Sequence, residues 1–425
     1  MRDIRATHNL IAVSANNRET AINTEQTLDT TLLCGLTDVA NLEPRRESNA
    51  GQPTGREEPD TIHDLGKTAS LPLTFERAQA QHFAFLLAYG LGSVSTGALG
   101  SGYKHTITPI SGDLDAARSN PSFTAAMRFG NAVLKRRFAS LFVNSLEASF
   151  EADSWVKLKG SCLGTGKVSD NVVEESITAA ENATSLTLAA SAVQGSTAAA
   201  RLDSVQRIRV ELSAGVWTDV AVSAVSSATP AVITITAPGE AATSRTYKVL
   251  YVPAESDWMT FPSRVTETPL RVAQATVKVG GAWNGSSFAG GRQLTAELNS
   301  LTYKLENNLQ VQYVPGAGDS YAGRARRDGR AQTITLDREF RDYILQQHID
   351  DNDTLGVYVK AEGEVFDSPH KYQVELVFPK VGILKAPVSV NGRILAEVGD
   401  LQVLEHATYG SVIAIVQNLV ATYAA

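Results

Sequence analysis

The sequence predicts a mainly β protein with a few flanking helices. Period-two alternation recurs through most of the chain, as where Ile334 and Leu336 sit between Thr333, Thr335 and Asp337, the mark of a strand buried on one face. Apolar residues at three- and four-residue spacing stand out in two stretches, residues 75–89 and 340–347. Ala, Ser, Thr and Val are frequent and aromatics reach only 7%, which suits layers of small β-forming residues.

At 425 residues two or three domains are expected. A formal charge of −7 argues against a nucleic-acid binder held by bulk positive charge. The two cysteines, Cys34 and Cys162, cannot form a disulfide framework or a cysteine zinc site, and fit folding in a reducing cytoplasm. MRDIRATHNL lacks the apolar core of a signal peptide. No apolar run approaches the ~20 residues of a membrane span, so no membrane is expected and the sequons at Asn182 and Asn284 are expected to be unused.

Residues 1 to about 65 are polar, with a modest apolar patch at Leu32, Leu33, Leu36 and Val39. Within them EPRRESNAGQPTGREEPD reads as an exposed loop: either an arm that reaches a neighbour or a loose terminus. Leu71 and Leu73 flank Pro72 in a short strand, placed by the proline at an edge or a strand start. Thr74 is positioned to cap a helix whose stripe is Phe75, Ala78, His82, Phe85 and Tyr89, widened by Phe83, Leu86 and Leu87, so that helix should be well buried. GSVSTGALGSG reads as a flexible connector. Residues 138–159 read as a long strand pair with positions 142, 146, 148, 150 and 152 packed and Asn144, Ser145, Glu147, Ser149 and Glu151 wetted.

From about Gly166 to Glu255 the chain turns rich in Ala, Ser and Thr, with short strands separated by turn signals. This predicts an inserted β-sandwich, and domains at 1–165, 166–255 and 256–425. From Trp258 strands resume. In residues 329–360 a strand through Ile334 and Leu336 leads to a helix capped by Asp337, with stripe Phe340, Tyr343, Ile344 and Gln347, and then to a second strand from Leu355. SVIAIVQNLVATY closes the chain as a strand.

Gly66 through Thr74 can be laid on Gly329 through Asp337: glycine, basic residue, alternating Leu/Ile-x-Leu, then a capping residue. Each leads into a helix and then strands. This is either a duplication or a likeness between two strand–helix units. A second likeness, VNSLEAS against LNSLTYK, lies at another offset.

Chemistry is sparse. GTGK at 164–167 lacks the remainder of a phosphate loop. Asp351, Asp353, Gly356 and Glu362 fall at calcium-loop spacing, but position five is Leu355. The seven histidines show no metal-binding spacing. Glu147 and Glu151 could in principle flank a glycosidic bond, though no aromatic platform is nearby. No catalytic, cofactor-binding or metal residue is assigned, and no enzyme activity is expected. The strongest charge feature is Arg324, Arg326, Arg327 and Arg330, read either as a phosphate grip or as a loop forming salt bridges to acidic neighbours.

EPRRESNAGQPTGREEPDTIHDLGKTASLPLTFERAQAQHFAFLLAYGLG resembles the N-terminal half of tail tube (major tail) proteins of long-tailed, non-contractile bacteriophages. LTAELNSLTYKLENNLQVQYVPGAG followed by GRAQTITLDREF resembles their C-terminal half, and SVIAIVQNLVATY the closing strand. The resemblance implies a β-sandwich or barrel with a flanking helix, as one copy or two fused copies, with the 166–255 segment an immunoglobulin-like decoration. It implies a structural virion protein, assembled in the host cytoplasm, whose stacked rings conduct DNA during ejection without reading it. Rings would hold three chains if the duplication is real and six if not. The implied partners are further copies and the tape measure, tail terminator and distal tail proteins. The alternatives are another tail component, such as a distal tail protein, and a carbohydrate-binding or hydrolytic β-protein.

Overall fold

The structure is a computed structural model; it describes residues 4–425 except 54, 56, 111–118, 131–133, 181, 238–243, 255–259 and 316–319. Strand makes up 55% of it and helix 8%, in three helices among the described residues, so sheets carry the fold. The chain divides into two compact units. One comprises residues 1–12, 126–137 and 168–262; the other comprises 13–125, 138–167 and 263–425. The expected domain boundary at Glu255, and Trp258 beyond it, lie outside the described residues.

The first unit contains the segment read as an insertion. Four antiparallel strands are ordered Val173–Ala179, Arg245–Tyr251, Val205–Ser213, Val216–Asp219, and three more are ordered Ser185–Thr187, Val232–Ile235, Val222–Val225. Their inward residues share one core, including Leu186, Ile208, Val210, Ile233, Tyr247 and Val249. Period-two patterning supplies one apolar face per sheet, and the two faces bury each other. A short helix, Ala198–Ser204, begins at Thr197, whose hydroxyl accepts from Ala200 N, a standard N-cap.

The second unit has a long antiparallel sheet. Asn41–Ser48 pairs with Ile62–Phe75, which pairs with Lys157–Gly164, then Lys135–Glu151, Leu298–Glu306, Ala331–Glu339 and Ile394–Val403. The short strand Val388–Asn391 completes it against residues 394–397. A further sheet runs Phe288–Leu294, Ala275–Trp283, Leu355–Asp367, His370–Lys385, Ile413–Asn418, Gly102–Pro109, Gly92–Leu99. His370–Lys385 belongs to both, since its residues 381–385 pair with the far end of Ile394–Val403.

Helix Ala80–Leu91 is buried at all twelve residues. Its Leu86 packs on Gly160 of the long sheet, and it also touches Gly102–Pro109 and Ile413–Asn418 of the other. A helix apolar on every side is a core element, and the breadth of the expected stripe from His82 to Tyr89 anticipated this, whereas Phe75 and Ala78 of that stripe lie before the helix. Gly92 ends it at φ 93°, where a Cβ would come within 2.4 Å of Ile110.

Several expectations need correction. Thr74 is the penultimate residue of a strand, and the helix N-cap is Gln79. GSVSTGALGSG is a strand, Gly92–Leu99, paired along its length with Gly102–Pro109; cross-strand hydrogen bonds overrule its weak side-chain signal. Asp337 caps nothing. It lies inside Ala331–Glu339, and the helix starts at Ile344 with Asp342 Oδ1 accepting from its N–H at 3.0 Å. The helix Ile344–Asp350 buries only Leu345, while Tyr343 is 71% exposed, so the expected stripe fails. In the long strand pair Ala152 is exposed, because the turn begins there. Among its described residues EPRRESNAGQPTGREEPD is exposed as expected except at the buried Asn49, but residues 43–48 belong to the strand Asn41–Ser48, one arm of a β-hairpin.

The two halves of the long sheet repeat one pattern. Asn41, Leu42 and Glu43 face Ser70, Ala69 and Thr68. Applying the shift that carries Gly66 onto Gly329 turns these into Lys304, Leu305 and Glu306 facing Thr333, Gln332 and Ala331, which is the observed register. Leu73 faces Gly160 and its counterpart Leu336 faces Gly399. A helix leucine covers each glycine, Leu86 on Gly160 and Leu345 on Gly399. Each half is therefore a hairpin, whose second strand pairs with a third, whose other flank pairs with the strand just before it in sequence. The likeness of VNSLEAS to LNSLTYK has no such basis: those segments lie side by side as neighbours, Lys135–Glu151 beside Leu298–Glu306.

Candidate interaction surface

The long sheet presents one polar face, built by the alternation that buries its other face. Leu146, Ala148 and Phe150 point to the core with Leu301, Tyr303, Leu305, Ile334 and Leu336. The opposite parity forms cross-strand rows. One runs Thr74, Lys159, Glu147, Lys304, Thr333, Gln402; the next runs Lys157, Ser149, Thr302, Thr335, Asp400. Charges on this face are interleaved. Lys157 Nζ meets Glu151 at 2.7 Å, Lys304 meets Glu306 at 2.6 Å and Lys385 meets Asp400 at 2.9 Å. The ammonium of Lys157 lowers the Glu151 pKa. The Asn144-to-Glu151 face read as wetted is thus polar with mixed charge: Glu151 is matched by Lys157, and Glu147 lies between Lys159 and Lys304 of the flanking strands.

The sheet ends in two unpaired edges among the described residues. Asn41–Ser48 pairs only with Ile62–Phe75, and Val388–Asn391 only with Ile394–Val403. Their backbone N–H and C=O groups on the outer flank are open to another strand. Bare apolar side chains lie beside both edges: Ile62, on the strand paired with Asn41–Ser48, is 70% exposed, and Val390 is likewise 70% exposed beside Ile394 and Leu395. The second edge was not visible as a functional element in the sequence, although a short VSV run before Asn391-Gly392 was its available signal.

The arginine cluster divides. Arg324–Arg327 forms a strand against Leu309–Gln312, with Arg324 exposed and Arg327 buried, donating to Asn120 Oδ1 at 3.0 Å. Arg330 is also an internal group. It donates to Asn307 Oδ1 at 3.2 Å and to the carbonyls of Gly90 and Leu91 at 3.4 Å, closing the C-terminus of the buried helix. Burial, with Arg327 nearby, pulls its pKa down to about 10. A guanidinium there complements the helix dipole and satisfies carbonyls that lack helical partners. The neighbouring loop positions 316–319 lie outside the described residues.

The opposite end of that helix receives Glu267, whose Oε2 accepts from Gln81 N at 2.8 Å. Desolvation pushes this carboxyl up to about 7.

The remaining sequence features are structural. Glu147 and Glu151 are four residues apart on one strand, a separation of about 13 Å along it, too long for either glycosidase geometry. At the phosphate-loop-like segment, Gly166 has φ 90° with Lys67 O 2.2 Å from where a Cβ would stand, and Lys167 Nζ donates to Asn23 O. In the calcium-like run, Gly356 and Glu362 are strand residues, and Glu362 is paired with Lys360 and Lys371. No cluster of three metal-ligating side chains occurs among the described residues, nor does any described helix have the length and apolarity to cross a membrane. A cleft of about 420 Å³ on the further sheet is lined by Lys104, Thr106, Thr108, Trp283, Tyr409 and Ile413 among others, with no carboxylate in its lining.

No protein-family model matches the sequence, and no curated protein matches it.

Proposed function

We propose that this chain is the subunit of a tube of bacteriophage tail type, in which its long sheet joins edge to edge with that of the next copy, rings close, and rings stack into a conduit for DNA. The observation that carries this reading is a joint already inside the chain. Lys135–Glu151 of the first half pairs with Leu298–Glu306 of the second. By the repeat, Val388–Asn391 occupies in the second half the place of Lys135–Glu151, and Asn41–Ser48 occupies in the first half the place of Leu298–Glu306. The two free edges are thus the two sides of a second joint of the same kind. A head-to-tail contact of this type makes closed rings when its rotation closes.

With two repeated halves per chain, three chains give a pseudo-six-fold ring. The polar face then lines the channel. Because its lysines are largely matched by acids, it offers DNA phosphates neither a row of cations to release nor strong repulsion. Location in the virion, and contacts with tape measure, terminator and distal tail proteins, belong to the same reading.

The test is a double variant, Asn41→Cys with Pro387→Cys, at the counterparts of Lys304 and Glu147, which face each other in the internal joint. It should form disulfides between chains and yield covalent ladders, and mass photometry of rings should give three chains. Discrete monomers by negative-stain microscopy at high concentration would sink the proposal. Arg324→Glu with Arg326→Glu should leave the fold intact and impair stacking; normal polymerisation would remove that loop from the ring-to-ring contact.

A further inference from the structure

We propose that Asn391 is a site of spontaneous self-modification, ageing to isoaspartate by cyclising onto the next backbone nitrogen, and that Asn284 is protected from the same reaction by its hydrogen bonds. These are the chain's two asparagines followed by glycine. In each, the backbone nitrogen of the glycine can attack Cγ of the asparagine. The Cγ–Nδ2 bond breaks, ammonia leaves with the proton lost by the glycine nitrogen, and a five-membered succinimide remains. Water then adds to one of its two carbonyls, giving aspartate or isoaspartate. Glycine favours the attack because it has no Cβ to obstruct the approaching Cγ.

The two sites differ in restraint. Asn391 faces Ile394 across a two-residue turn, Gly392 and Arg393, at the tip of the hairpin that ends the sheet. Gly392 opens the turn at φ 64°, and a Cβ placed on it would meet nothing within 4 Å. Residues 388–395 are all exposed. Among the described residues the Asn391 amide has no hydrogen-bond partner. Gly392, the first turn residue, lies outside the paired ladder, so neither reacting group must be freed first.

Asn284 is locked. Its Oδ1 accepts from Ser286 N at 3.0 Å, Ser287 N at 2.8 Å and Ser286 Oγ at 3.0 Å, and its Nδ2 donates to Ser287 Oγ at 3.0 Å. Rotating Cγ towards Gly285 N breaks this set. The isoaspartate product at 391 carries an added backbone methylene and a carboxylate, which disturb the register of Val388–Asn391. This follows from the hairpin alone and does not depend on the tube.

The purified full chain is incubated at mildly alkaline pH, which deprotonates the attacking amide, and mapped by peptide mass spectrometry with isoaspartyl methyltransferase labelling. Asn284 should convert roughly tenfold or more slowly than Asn391, the factor expected when two or more hydrogen bonds must break first. In urea the two rates should converge, because the local sequence is the same Asn–Gly. Equal rates in the folded chain, or a folded Asn391 that stays an amide while both sites convert in urea, overturn the proposal.

Discussion

Arg338 Nη2 lies 2.8 Å from Glu397 Oε2, both fully buried, at the position where Phe75 faces Leu158 in the other half of the sheet. The same backbone register therefore holds an ion pair in one half and an apolar pair in the other. Asp342 and Gln346 complete the polar version, at 3.0 Å from Arg338 and 2.9 Å from Glu397.

Removing one partner strands a buried charge, so Arg338→Ala should cost about 3–5 kcal/mol. Arg338→Phe combined with Glu397→Leu copies the other half and should stay within about 2 kcal/mol of the parent, since apolar replacements of buried ion pairs are often neutral or better. Denaturant titration of both variants measures this. A double variant as unstable as the single one would show that the two positions are not interchangeable.

Glu267 makes stability depend on pH. Its folded pKa, about 7, lies above the 4.5 of the unfolded chain, so the folded state binds more protons between these values. Its contribution is full below pH 4.5 and is lost as pH rises through 7. Glu267→Gln keeps an acceptor for Gln81 N and should flatten this part of the profile, stabilising the protein at pH 8 relative to the parent. Melting curves from pH 5 to 8 decide it; an unchanged slope would assign the dependence elsewhere.

Arg330→Ala uncovers the Gly90 and Leu91 carbonyls at a buried helix end and should cost about 1–3 kcal/mol. Arg324→Ala, at an exposed position of the same cluster, should fall within about 0.5 kcal/mol of zero. Equal effects would contradict the division of the cluster into internal and surface arginines.

A Cβ at Gly160 would stand 2.9 Å from Leu86 Cδ1, and one at Gly399 would stand 3.3 Å from Leu345 Cδ1. Gly160→Ala should cost about 1–3 kcal/mol, because the helix it meets is enclosed on every side. Gly399→Ala should cost less, since Ile344–Asp350 is mostly exposed and can shift. Thermal melts of the pair test the ranking.

What the sequence determined by itself was the local alternation. Leu71 with Leu73, Ile334 with Leu336, and Leu146 with Ala148 and Phe150 were legible as inward positions, because the strand period sends neighbours to opposite faces whatever lies across the sheet. The stripe from His82 to Tyr89 was legible as a buried helix for a similar reason, although Phe75 and Ala78, read as part of it, precede the helix start at Ala80. Only the tertiary structure decided how far the two halves correspond, which arginines are internal, and where the sheet stops. The Leu73–Gly160 and Leu336–Gly399 registers, the closure of one helix by Glu267 and Arg330, and the open flanks of Asn41–Ser48 and Val388–Asn391 all depend on segments far apart in the chain. A hydrogen bond across such a separation leaves no periodicity in either segment, so it becomes visible only when the strands are laid side by side.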